Sequence, residues 1–165
     1  MTERARSRSM ISLIERGESS PTAVVLDRLA TGLGVPLASL FDSPEPDPHP
    51  VALRADQASW RDPHSGYVRR NVSPRGVASP IQLVEVSFPP HARLAYESGA
   101  REPALHQQVW VLDGSIDVTV GTVPHRLRTG DCLALVLDQP VTYHNPSRRT
   151  ARYLVAIASG PTPRK

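Results

Sequence analysis

The chain has 165 residues, of which 39% are hydrophobic and 21% charged, so it can form one ordinary domain, or one domain plus a small fragment. These values exclude a large multidomain enzyme and a disordered chain. The net charge of +3 comes almost entirely from arginine and is weak support for a nucleic-acid partner. Cys132 is the single cysteine and can form no internal disulfide, and no run resembles a signal peptide or a membrane span. We therefore expect a cytoplasmic protein with no membrane partner.

Short helices are predicted in the first 42 residues, where the apolar residues have helical spacing. One helix is predicted to begin at Ser7 and to end at Gly17, with Met10, Ile11 and Ile14 on one face. A second is predicted to have Ser20 as its N-cap and to end at Gly34. The apolar stripe of this second helix consists of Leu26, Leu29, Ala30 and Leu33. A further short helical turn is expected at Leu37, Leu40 and Phe41. Such a fragment buries too little apolar area alone and needs a partner surface.

Residues 43–50 have proline at every second position, which prevents both a helix and a central strand. This pattern predicts a stiff linker between a helical domain, 1–42, and a second domain, 51–165. In the second domain, apolar residues alternate in short runs, and a tight hairpin turn is predicted at Asp113-Gly114. The main runs are Gln82–Phe88, Val109–Leu112, Ile116–Val120, Cys132–Val136, Val141–Tyr143 and Tyr153–Ile157. The predicted fold class is α+β, in which an all-α segment precedes an antiparallel sandwich or barrel.

The run from Ser7 to Thr22, SRSMISLIERGESSPT, and its continuation from Leu26 to Phe41 resemble the later half of the lambda-repressor-like helix-turn-helix domain of XRE-family transcription regulators. The resemblance implies that residues 8–16 form the recognition helix in the major groove of double-stranded DNA. Arginine can pair bidentately with guanine, and serine can reach base edges or phosphates. Without the resemblance, solvated arginines and helix-capping serines are the simpler interpretation. The residues expected at the DNA are Ser7, Arg8, Ser9, Ser12 and Arg16.

The resemblance also reveals a departure from the family at the N-terminus. The family domain has about five helices, whereas only residues 1–6 precede Ser7, so the first helix and nearly all of the second have no counterpart. These helices normally cover the apolar face of the recognition helix and contact the phosphate backbone. We expect either a start further upstream in a longer reading frame or a truncated regulator that no longer binds DNA.

The second domain resembles the small cupin barrel, a double-stranded β-helix, in the run from His106 to Gly114, in Gly130-Asp131 and in His144-Asn145-Pro146. Metal-binding cupins have two histidines and a glutamate in the first of these motifs and a histidine in the last. By this match Gln107 replaces the glutamate, Val141 replaces the last histidine, and residues 100–103 contain no histidine. We therefore expect no metal and no other cofactor.

The cupin pattern points five side chains into the barrel, where they would line a pocket for a small organic effector: Gln107, Val109, Val111, Val141 and Tyr143. A hydrogen-bonded core amide for Gln107 and a core aromatic for Tyr143 are equally good interpretations. The domain order implies a non-enzymatic transcriptional regulator in which the cupin senses the effector and modulates a helix-turn-helix homodimer on paired half-sites. The alternative is a metal-independent cupin enzyme of the sugar epimerase or isomerase type, which needs an interior histidine paired with a general acid.

Overall fold

The structure is a computed structural model that describes residues 12–17, 20–41, 48–97 and 104–160. The helices that lie entirely within the described residues are α1 (Ala23–Leu33) and two short 3-10 helices, Leu37–Phe41 and Arg54–Asp56. The described strands are β1 (Ser59–Arg61), β2 (Val68–Asn71), β3 (Ile81–Phe88), β4 (Arg93–Tyr96), β5 (Leu105–Asp113), β6 (Ser115–Val120), β7 (Val123–Arg128), β8 (Cys132–Val136), β9 (Val141–His144) and β10 (Ala151–Ser159). The alternating runs thus form strands, as predicted.

Helix α1 begins two residues later than predicted. Its N-cap is Thr22 rather than Ser20, because the Thr22 hydroxyl accepts a hydrogen bond from the Val25 amide at 3.4 Å. Gly34 ends the helix in the left-handed conformation, at φ 69°. The predicted stripe is wrong at Leu33, which is 67% exposed. The buried face consists of Ala23, Leu26, Asp27 and Ala30.

The preceding predicted helix is described only at its C-terminal end. Residues 12–15 are helical, and the Gly17 amide donates to the Ile14 carbonyl at 3.0 Å, with Gly17 at φ 69°. This end agrees with the prediction, whereas Met10 and Ile11 lie outside the described residues. The predicted turn after α1 is the 3-10 helix Leu37–Phe41.

Two antiparallel sheets share one apolar core. The six-stranded sheet has the order β1-β2-β3-β10-β5-β8, and the four-stranded sheet has the order β4-β9-β6-β7. Inward residues of both sheets, such as Phe88 and Val109 on one and Ile116 and Val118 on the other, are almost completely buried in the same cluster. This arrangement is the closed or sandwich-like β domain that the alternation predicts.

The predicted hairpin at Asp113-Gly114 is wrong. β5 and β6, on either side of Gly114, belong to different sheets, and β6 instead pairs with β7 and β9. Gly114 adopts φ 83°, and a Cβ there would lie 3.2 Å from the Ala151 Cα. The glycine is therefore required where the chain passes from one sheet to the other beside β10, and not for a two-residue turn.

The helical segment packs directly on the β domain, which provides the partner surface that its small size requires. Ala23 and Ala38 belong to the same apolar cluster as the strands. The Asp62 carboxylate accepts a hydrogen bond from the Ala23 amide at 2.9 Å, and the Arg69 guanidinium lies 5.3 Å from the centre of the Phe41 ring. The boundaries 1–42, 43–50 and 51–165 stay a prediction, because residues 42–47 lie outside the described part of the chain.

Asn145, in the last of the cupin-like motifs, links the loop after β9 to the end of β3 and is completely buried. Its side-chain amide donates to the carbonyls of Phe88, Pro89 and Arg149 at 3.1, 3.1 and 2.7 Å. Its carbonyl oxygen accepts from the amide and the hydroxyl of Ser147 at 3.0 and 2.8 Å. Every donor and acceptor of this buried amide is therefore used, which explains an asparagine at this position by folding alone.

Candidate functional site

A cavity lies inside the β domain, at the side where the helical segment packs. The volume of the cavity that is accessible to the centre of a water molecule is about 70 Å³. This volume has room for roughly five water molecules. Strands β2, β3, β4, β5, β9 and β10 form most of the wall, and Asp27, Pro36 and Leu37 of the helical segment complete it. The cavity is thus shared by the two parts of the chain.

Most of the cavity wall is apolar, and its polar groups are few. Leu105, Val155 and Ile157 are typical of the apolar part. The polar side chains are Asp27, Arg69, Gln107 and four tyrosines, Tyr67, Tyr96, Tyr143 and Tyr153. A mainly apolar cavity with a few convergent polar groups is typical of a site for a small organic molecule.

The four tyrosine hydroxyls are protonated at neutral pH. Burial raises the pKa of Tyr96, Tyr153 and Tyr143 well above 10, and the neighbouring Tyr67 adds to the rise in each case. Burial also raises the pKa of Tyr67 itself, although the nearby Arg69 charge opposes this rise. Each hydroxyl can therefore donate one hydrogen bond to a ligand.

The hydrogen bonds that these hydroxyls make to one another are long. Tyr67 and Tyr96 lie 3.2 Å apart through their hydroxyl oxygens, and the Tyr143 hydroxyl reaches the Gln107 side-chain oxygen at 3.5 Å. Ordinary hydroxyl hydrogen bonds are 2.5–3.0 Å long. These hydroxyls can therefore form shorter hydrogen bonds to a ligand than they form to one another.

A continuous series of aromatic contacts connects the helical segment to the cavity. Phe41 contacts Trp60 at a centroid distance of 5.8 Å, and Trp60 contacts Tyr67 at 5.9 Å. The series continues through Phe88, Tyr153, Tyr143 and Tyr96, with successive distances of 6.0, 6.3, 5.9 and 6.2 Å. These spacings are typical of interacting rings. The aromatic rings therefore form continuous packing contacts from the cavity to the helical segment.

The residues predicted for the effector pocket fall into two groups. Gln107, Val141 and Tyr143 line the cavity. Val109 and Val111 also point inward and are completely buried, but they belong to the core cluster and are absent from the cavity wall. The inward orientation of alternate β5 residues agrees with the predicted register, since Gln108 and Trp110 between them are exposed.

The residues predicted at the DNA are only partly described. Arg16 is exposed at the end of the helical turn, and its amide donates to the Ser12 carbonyl at 3.2 Å. Ser12 itself is half-buried. Ser7, Arg8 and Ser9 lie outside the described residues, so their contact with DNA stays a prediction.

Sequence reasoning missed Arg69 and Tyr153, which also line the cavity, and the contribution of Asp27. Tyr153 alternates with Val155 and Ile157 on β10, so its inward position was available from the strand pattern. The run Val68-Arg69-Arg70-Asn71 gives no apolar alternation from which a buried arginine could be inferred. The position of Asp27 on the buried face of α1 was missed because only apolar residues were used to define that face.

Within the described residues, no three histidine, cysteine, aspartate or glutamate side chains come together as a metal-binding group. None of the described helices is long and apolar enough to cross a bilayer.

Both parts of the chain are similar to known proteins. Residues 4–40 match the family described as helix-turn-helix. The chain is 26% identical over 153 residues to the HTH-type transcriptional regulator SutR of Escherichia coli (strain K12), covering 89% of this chain and 77% of that protein. A solved HTH_3-family transcriptional regulator from Vibrio cholerae superposes with a TM-score of 0.69 at 22% identity, covering 94% of this chain and 80% of that one.

The β domain also has a solved counterpart. The Cupin_2 domain of an XRE-family transcriptional regulator from Enterobacter cloacae matches with a TM-score of 0.50 at 17% identity, covering 59% of this chain and 98% of that domain. The fold is therefore α+β, with a helix-turn-helix segment followed by a cupin barrel. The two parts of this chain are thus similar in fold and order to those of XRE-family regulators that carry a cupin domain.

Proposed function

We propose that this chain is a DNA-binding transcriptional regulator in which the cupin cavity binds a small organic effector and thereby controls the helix-turn-helix segment. The observation that supports this proposal is that the helical segment forms part of the cavity wall. Asp27, Pro36 and Leu37 line the cavity, and they follow the predicted recognition helix in the chain. Together with the match of residues 4–40 to the helix-turn-helix family, this contact supports direct coupling between the proposed effector site and the proposed DNA-binding segment.

The shared wall supports control because a ligand shifts an equilibrium only by its different affinities for the two states. A ligand in the cavity touches Asp27 and Leu37 only while the helical segment is packed on the barrel. Its binding energy therefore depends on where the helices lie, and coupling of this kind typically changes affinity about 5- to 150-fold.

We propose that the regulator acts as a homodimer on paired half-sites of double-stranded DNA, as helix-turn-helix proteins usually do. Trp110 supports this proposal, because it lies on the outer side of β5, beside the sheet-edge strand β8, and is 47% exposed. A half-exposed tryptophan on a sheet face is typical of a surface that a second copy covers.

Binding rather than catalysis is favoured by the composition of the cavity. The alternative of a metal-independent epimerase or isomerase requires an interior histidine as base. No histidine lies among the residues that line the cavity in the described part of the chain. His106, on β5, is next to the lining residue Gln107 and points to the other side of the strand.

The test is fluorescence anisotropy of the full chain on labelled duplex DNA from its own promoter region and on a scrambled duplex, at several salt concentrations. We expect preference for the promoter duplex and weaker binding as salt rises. Arg16→Ala should weaken binding and reduce the salt dependence by about one counterion. Arg126→Ala is the matched control, because Arg126 is an exposed arginine on the four-stranded sheet, paired with Asp117. Equal affinity for both duplexes, or equal effects of the two variants, would contradict the proposal.

A further inference from the structure

Arg69 is the least satisfied polar group in the cavity wall. Its side chain is almost completely buried, with 6% of the residue exposed, and it lines the cavity. Its Nε atom has no hydrogen-bond partner among the described residues. Burial of a charged donor without a partner is costly, so folded proteins normally pair such a group. A buried Nε donor without a partner, on a side chain that lines a cavity, points to a ligand that accepts from it.

The neighbouring polar groups are also mainly donors. The protonated hydroxyls of Tyr67, Tyr96 and Tyr143 can each donate a hydrogen bond, and their mutual hydrogen bonds are long. Gln107 adds a side-chain amide to the same wall. A positively charged fork surrounded by hydroxyl donors is complementary to a carboxylate, whose two oxygens only accept hydrogen bonds.

The rest of the cavity limits the size and polarity of the part of the ligand that is attached to the carboxylate. Leu105, Val155 and Ile157 offer an apolar surface for a hydrocarbon body. Asp27 lies in the same wall, and its negative charge disfavours a second carboxylate on the ligand. Space for roughly five waters corresponds to a ligand core of about six non-hydrogen atoms.

We propose that the effector is a small monocarboxylate with an apolar body, and that its carboxylate pairs with Arg69. The regulatory role of this ligand rests on the proposed function. The carboxylate-binding site itself does not depend on DNA binding. The guanidinium holds the carboxylate by two parallel hydrogen bonds, and the tyrosine hydroxyls donate to the remaining acceptor positions.

The test uses isobutyrate and isobutyramide, which have the same shape and size and differ in charge. Each is titrated into the full chain at millimolar concentrations, and binding is followed by amide chemical shifts. We expect isobutyrate to bind at least about tenfold more tightly than isobutyramide, because a hydrogen bond to a charged group is worth that much. The shifts should fall on the strands that form the cavity. Equal affinities, or no isobutyrate binding, would overturn the proposal.

Variants assign the preference to Arg69. Arg69→Met should remove the tenfold preference for isobutyrate and leave isobutyramide binding unchanged, whereas Arg126→Met, on the outside of the other sheet, should preserve it. If Arg69→Met unfolds, Arg69→Lys keeps the charge without the planar fork and should lose part of the preference. Preference unchanged in the folded Arg69 variants would overturn the proposal. No DNA is present, so failure of promoter binding and failure of carboxylate binding are separate results.

Discussion

Replacement of Asp62 should loosen α1 from the barrel, because this buried carboxylate holds the N-terminus of α1. Asp62 lies just after β1 and is 1% exposed. One oxygen accepts from the Ala23 amide at 2.9 Å, at the N-terminus of α1. The other accepts from the amide and the hydroxyl of Ser65 at 2.8 and 2.5 Å. A carboxylate at a helix N-terminus is also favoured by the helix dipole.

The expected loss of stability follows from these contacts. Asp62→Asn keeps one acceptor oxygen but removes the charge and one hydrogen bond, so the free energy of unfolding should fall by about 1.5–3 kcal/mol. Asp62→Ala leaves the Ala23 and Ser65 amides without this acceptor, and the loss should be about 2–5 kcal/mol. The assay is urea unfolding of the full chain at pH 7, combined with hydrogen exchange of the α1 amides, which should become faster in both variants.

Asp131→Ala is the matched control. The Asp131 carboxylate also accepts from a backbone amide, that of Arg128 at 2.8 Å, but it lies in an exposed turn away from the helices. This variant should cost less than about 1 kcal/mol and leave exchange in α1 unchanged. The reasoning would be refuted if Asp62→Asn had no larger effect than Asp131→Ala, or if it left the α1 amides protected.

Acid should have the same effect as the Asp62 substitutions. Burial acts to raise the pKa of Asp62, but hydrogen bonds from Ser65 and Ala23 outweigh burial, and the pKa lies below its ordinary value of 3.8. Asp62 therefore contributes its full stability above that ordinary value, and the contribution is lost as pH falls through the lower folded-state pKa. The free energy of unfolding should fall below about pH 4, and Asp62→Asn should fall less steeply than the wild type.

Three further substitutions test the fold and the proposed dimer. Asn145→Ala should lower the free energy of unfolding by about 3–5 kcal/mol, because it breaks a completely buried and fully satisfied amide network; a loss below 1 kcal/mol in urea unfolding would contradict this. Gly114→Ala should cost about 2–4 kcal/mol through its positive φ and its contact with Ala151, which thermal unfolding measures; an unchanged midpoint would show that the crossing tolerates a side chain. Trp110→Ser should convert the proposed dimer to a monomer in analytical ultracentrifugation without unfolding it; an unchanged sedimentation coefficient would place the dimer contact elsewhere.

The sequence predicted the β domain well because alternation reports directly which side chains face the core. The resemblance to the cupin barrel assigned Gln107, Val141 and Tyr143 inward, and these three residues line the cavity. The prediction was weaker where a local signal has more than one structural use. Asp-Gly favours a hairpin, but at Gly114 the same backbone freedom carries the chain between two sheets. No local pattern distinguishes these two uses.

Contacts between the two parts of the chain could not be predicted from the sequence. Asp62 and Ala23 are 39 positions apart, and neither lies in a motif that indicates the hydrogen bond between them. Burial of Arg69 likewise depends on Phe41, which covers its guanidinium from the helical segment. The roles of such residues can be seen only when the helices are placed on the barrel, because these residues join the cavity wall to the helical segment.

The central claim is that packing of the helices on the barrel sets DNA affinity. The most direct measurement is the promoter affinity of wild type, Asp62→Asn and Asp131→Ala, by anisotropy at one salt concentration, with scrambled duplex as the reference. We expect Asp62→Asn to shift promoter affinity at least about fivefold, and Asp131→Ala to match the wild type. If all three proteins bind the promoter equally while α1 exchanges faster in Asp62→Asn, the helix–barrel contact does not control DNA binding.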